Sequence, residues 1–129
     1  MLNDTLAAAL SSILNAEIAK KPECYVKPAS KIVKAVLNIM NSHYYIGDFK
    51  EIKDGRGNII RINLLGKINR CGVIKPRYAV KNNEFEKFEK RYLPAKNFGI
   101  LIVSTTEGLM THVEAKKRGI GGRLIAYCY

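Results

Sequence analysis

Up to Met40 the apolar positions recur every three or four residues, and beyond Tyr44 they alternate with polar ones. Leu6, Leu10, Ile13 and Leu14 make one apolar stripe, so a first helix is expected there, capped by Asn3 or Asp4. Lys20-Lys21-Pro22 ends it, because a helix rarely continues through proline. Cys24-Tyr25-Val26 is a short strand candidate. Pro28-Ala29-Ser30 introduces a second helix with Ser30 as N-cap and Ile32, Val33, Val36, Leu37 and Met40 as its buried stripe. Two strands, Tyr45 to Lys53 and Ile59 to Lys67, flank Asp54-Gly55-Arg56-Gly57-Asn58, which is hairpin chemistry. In the second of them Ile60, Ile62 and Leu64 alternate with Arg61, Asn63 and Leu65.

The rest of the chain reads differently. Gly72-Val73-Ile74 and Tyr78-Ala79-Val80 are short strands around Lys75-Pro76-Arg77. Phe85, Phe88 and Tyr92 mark an amphipathic helix that Pro94 closes. Phe98 to Val103 is an apolar strand, Thr111 to Lys117 one or two helical turns ending at Gly119, and Leu124 to Tyr129 a last strand. The expected fold is α+β in two small subdomains: αβαββ over residues 1–67, and a mostly β unit with short helices over 68–129.

Composition adds direction to this outline. The chain has 129 residues, 47% of them hydrophobic, which suits one domain or two small ones with a modest core. No apolar run approaches a membrane span, and Met1-Leu2-Asn3-Asp4 does not begin a secretory leader. Three widely spaced cysteines, Cys24, Cys71 and Cys128, imply neither a disulfide framework nor a zinc ribbon, so a reduced, cytoplasmic protein is expected. Lys and Arg number 22 against 11 acids, a net charge of +11, and such an excess attracts polyanions. The segment from Lys50 to Lys81 alone carries +7, whereas Glu84 to Arg91 is balanced. Lys53, Arg56 and Arg61 project from the hairpin, where a sheet can present them as an ordered array, and Lys75 and Arg77 extend the basic segment.

Catalytic readings find little footing. His43 and His112 are far apart, and His112-Val113-Glu114 lacks the Pro-Cys-x-x-Cys half of the zinc-deaminase pattern, so no metal is expected. Gly119-Ile120-Gly121-Gly122 precedes a strand where a dinucleotide loop needs a helix, and a tight turn explains it better. Cys71 has no evident base to activate it. Neither an enzyme nor a cofactor is expected. Ser104-Thr105-Thr106 is a different kind of site: three hydroxyls leave a buried strand and meet Gly108. Hydroxyls reach base edges, 2′-OH groups and phosphates, but turn and cap chemistry accounts for the same residues equally well.

At these residues the chain resembles a known family. The run from Ser104 to Ala115, the basic pair Lys116-Lys117 and then Gly121-Gly122 are similar to the C-terminal signature of the small-subunit ribosomal protein family numbered eight. The likeness extends to Leu6–Leu10, Ile13–Ala16, Pro28-Ala29-Ser30-Lys31 and Tyr45-Ile46-Gly47. Asn69 to Arg77 resembles the archaeal and eukaryotic branch; bacterial members carry Gly where Arg77 stands and tend to carry Glu at Arg123. The resemblance implies a primary binder of an irregular helix in the central domain of 16S rRNA that helps assemble the platform. It implies contacts from Ser104, Thr105 and Thr106 to the irregular core, with peripheral ones from Ser30, Lys31, Lys53 and Arg56. Neighbouring small-subunit proteins are the other implied partners, and off the ribosome a monomer is expected. A generic basic RNA-binding module, or a repressor of its own mRNA, is the alternative.

Overall fold

The structure, a computed structural model, describes residues 5–27, 30–53, 55, 58–75, 77–95 and 98–129. The proposed caps Asn3 and Asp4, the hairpin-tip residue Arg56 and Pro76 lie outside them. The secondary structure is mixed α+β, and the chain divides into two compact units, Met1–Cys71 and Gly72–Tyr129.

In the first unit α1 (Thr5–Ile18) buries Leu6, Ala9, Leu10, Ile13 and Ala16, the stripe its spacing predicts, with Ala9 and Ala16 completing it. Lys20 follows in the left-handed region at φ 57°, and the Lys20 and Lys21 N–H groups donate to the carbonyls of Glu17 and Ala16. That is a Schellman ending without its usual glycine. The second helix, α2 (Lys31–Ser42), starts at Ser30, whose side-chain oxygen accepts the Val33 N–H, and buries Val33, Val36, Leu37 and Met40. It ends the same way at Tyr44, φ 63°, with Tyr45 N–H donating to Met40 O at 3.0 Å. Strands β1 (Glu23–Val26), β2 (Ile46–Ile52) and β3 (Ile59–Leu64) form an antiparallel sheet in the order β1-β3-β2. Alternation assigns its faces: Cys24, Val26, Ile60 and Ile62 are buried on the face that α1 and α2 cover. Ile68 to Cys71, expected with the second subdomain, are tied to the first unit. The Ile68 N–H donates to the Glu17 carboxylate at 3.3 Å, and the buried Cys71 thiol donates to Leu10 O.

The second unit is built around its last strand. A sheet of β4 (Cys71–Val73), β6 (Ile100–Thr105), β7 (Gly108–Thr111) and β8 (Gly122–Cys128) runs in the order β4-β8-β6-β7, and the two-residue β5 (Ala79–Val80) also pairs with β8. The two short strands around residues 75–77 therefore follow each other along one edge of β8. Ile74 N–H donates to Ile125 O and Leu124 N–H to Tyr78 O, both at 3.0 Å. Helix α3 (Phe85–Tyr92), entered through one 3-10 turn at Asn82–Glu84, sets Phe85 and Phe88 into a core with Leu101, Val103, Met110 and Leu124. Two differences from the sequence reading stand out. The apolar strand runs two residues further, through Ser104 and Thr105, and β7 was not expected at all. Its residues are few and one is glycine, so no alternation was there to read; pairing with β6 makes it a strand.

Candidate nucleic-acid interface

The hydroxyl run forms the end of a hairpin. Strand β6 is fully buried from Ile100 to Val103, half-buried at Ser104 and Thr105, and the chain then emerges at Thr106. Thr105 pairs with Gly108 and Ser104 with Leu109, leaving Thr106 and Glu107 as a two-residue connection. Gly108 sits at φ 109°, where a side chain would be strained. The Thr105 hydroxyl donates to Gly108 O at 2.8 Å and accepts the Glu107 N–H at 3.1 Å. Its one proton is committed to the turn. Among the described residues the hydroxyls of Ser104 and Thr106 have no hydrogen-bond partner, so their donors are available to a ligand. The three hydroxyls, equivalent in sequence, are thus divided: Thr105 shapes the tip, and Ser104 and Thr106 present chemistry.

The surroundings hold this tip in place. Helix α4 (His112–Arg118) begins at Thr111, whose hydroxyl accepts the Glu114 N–H, and ends at Gly119 in the left-handed region. Its Arg118 binds Glu114 at 3.0 Å and reaches Glu107 at 3.5 Å, so the one acid at the tip is countered by a cation. Behind Ser104 lies Gly122, where a Cβ would stand 2.2 Å from Ser104 O; at Gly121 it would stand 2.3 Å from Val80 O. The glycine pair is explained by close approach of three backbones, a stronger requirement than the tight turn expected from sequence. Arg123 is exposed and directly across from Ser104 in the β6–β8 register, which sets a guanidinium beside the hydroxyl tip. Sequence reasoning did not assign Arg123 to the site, because only strand register brings it there.

His112 is a structural stitch. It is 3% exposed, its Nδ1 accepts the Leu101 N–H at 3.1 Å, and its Nε2 lies 3.0 Å from Glu89, which also pairs with Lys116. The imidazole thereby joins β6, α3 and α4. Burial pushes the Cys71 thiol up to about 12, with Glu17 adding to the shift, so it is no nucleophile at neutral pH. All three cysteines are buried, and none is in a disulfide.

The other expected residues fall into separate groups. Ser30 and Lys31 stand together at the start of α2, with Lys31 exposed. Lys53 is exposed just past β2, and Arg61 is exposed in mid-β3, 3.6 Å from Glu23. In the second unit Lys75 and Arg77 are exposed between β4 and β5. Among the described residues no helix is long and apolar enough to cross a membrane, and no three His, Cys, Asp or Glu side chains are grouped as metal ligands would be.

A net charge of +11, exposed cations on both units and a hydroxyl-tipped hairpin define a basic α+β protein of the RNA-binding class. The profile of the family described as Ribosomal protein S8 matches residues 4–129. The chain belongs to that family: it is an RNA-binding protein of the small ribosomal subunit, and its family is structural, not catalytic.

Proposed function

We propose that this protein is a primary rRNA binder that engages an irregular helix in the central domain of 16S rRNA and helps assemble the platform of the small subunit. The observation that carries this reading is the division of labour at the hairpin, where Thr105 locks the turn while Ser104 and Thr106 keep unpartnered donors. Base edges of regular A-form RNA are hidden in a deep, narrow groove, so a protein reads sequence where the helix is irregular and its shallow groove is open. Compact hydroxyls on a stiff tip suit that task. Ser30, Lys31, Lys53, Arg56, Arg61, Lys75 and Arg77 serve as phosphate contacts, which orient the protein without reading sequence. Neighbouring small-subunit proteins are its further partners, the ribosome in the cytoplasm its location, and off the ribosome it is a monomer.

Hydroxyl-radical footprinting on naked small-subunit rRNA tests the proposal. Protection is expected in one compact central-domain region without other ribosomal proteins present. Protection scattered over many duplexes would instead indicate a generic basic module.

A further inference from the structure

The face of the first unit's sheet turned away from α1 and α2 carries Tyr25 on β1, Arg61 and Asn63 on β3, and Lys50 and Ile52 on β2, all exposed. Register aligns three of them in one row: Tyr25 is opposite Arg61, and Arg61 is opposite Lys50. Opposed side chains on one face are neighbours, so a ring, a guanidinium and an ammonium lie side by side. Tyr25 is 54% exposed although it sits within a strand. Glu23 steadies the pair, accepting the Tyr25 hydroxyl at 3.1 Å and lying 3.6 Å from the Arg61 Nε. The exposed pair is weak enough for Arg61 to exchange Glu23 for a phosphate. Beside the ring, along the outer edge of β1, a cleft of about 420 Å³ is lined by Ser12 and Asn15 of α1, by Lys21, and by Glu23, Cys24 and Tyr25.

We infer that this row is a platform for one unpaired RNA nucleotide. Its base stacks on Tyr25, the flanking phosphates meet Arg61 and Lys50, and its sugar edge faces the hydroxyl, amide and ammonium of Ser12, Asn15 and Lys21. The ligand class follows from the combination. An aromatic face offers stacking to a base, adjacent cations favour a polyanion, and a base in a duplex has no free face to offer. This platform belongs to the first unit, whereas the hydroxyl hairpin belongs to the second, so it adds single-strand binding to the reading of the chain as an RNA binder, on which it rests.

The chain contains no tryptophan, so Tyr25→Trp introduces a single reporter at the platform in the full-length protein. Titration with an oligouridylate is expected to quench its fluorescence, while an abasic oligonucleotide of equal length leaves it unchanged. Tyr25→Ala is expected to weaken oligouridylate binding about tenfold and Tyr25→Phe by less than about twofold, since stacking needs the ring and not the hydroxyl. Unchanged fluorescence at saturating oligouridylate, or equal quenching by the abasic strand, overturns the platform. If a central-domain rRNA fragment still binds in that case, the hairpin reading stands without it; if neither RNA binds, both are overturned.

Discussion

Gly122 shows how much of the site depends on a missing side chain. With Ser104 O 2.2 Å from the position a Cβ would take, and Val103 Cγ1 2.9 Å from it, Gly122→Ala forces β8 away from β6. Overpacking of this kind costs about 1–3 kcal/mol. Urea unfolding of Gly122→Ala is expected to show a loss in that range, with a midpoint shift and little change in slope. A neutral effect would mean that the two strands do not approach as described. Thr105 carries a related lesson. Its hydroxyl is both donor and acceptor within the turn, so losing it disturbs the tip before it removes any contact with RNA. Nothing in the run Ser104-Thr105-Thr106 separates the three, because their roles depend on the pairing of Thr105 with Gly108.

Among elements, the β2–β3 hairpin is where charge supports structure. Glu51 lies on the helix-covered face and binds Lys34 of α2 at 2.8 Å and Asn58 at 2.6 Å. The Lys34 ammonium, with help from Asn58, holds the Glu51 carboxyl below its usual range. A carboxyl lowered in the folded state stabilises fully above its ordinary pKa, and that contribution is lost as pH falls through the folded value. Protection of the hairpin amides, taken relative to their intrinsic exchange rates at each pH, is therefore expected to fall in acid, and Glu51→Gln to remove most of this dependence. The same acid sensitivity in Glu51→Gln would place its source elsewhere. The elements themselves were largely legible: α1, α2 and α3 from their stripes, Ser30 from its position before one, and β2 and β3 from alternation. What escaped was decided by partners distant in sequence. β7 exists because β6 pairs with it, the expected short strands β4 and β5 share one edge of β8, and Arg123 joins the site through register alone.

At the scale of the whole molecule, the excess of cations and the hydroxyl hairpin make separable contributions. Cations on exposed strands and loops release counterions, and that sets affinity without regard to sequence. Unpartnered hydroxyls carry no net charge, so their contribution falls on discrimination and leaves the salt dependence untouched. The most direct measurement is the ratio of affinities for a central-domain rRNA fragment and a random duplex, taken over a range of salt for three forms of the protein. Lys53→Ala with Arg61→Ala is expected to lower both affinities, flatten the salt slope by about one unit per cation, and keep the ratio near that of the wild type. Ser104→Ala with Thr106→Ala is expected to bring the ratio down toward one at an unchanged slope. A double hydroxyl variant that keeps the wild-type ratio would contradict the assignment of the β6–β7 tip as the reading surface.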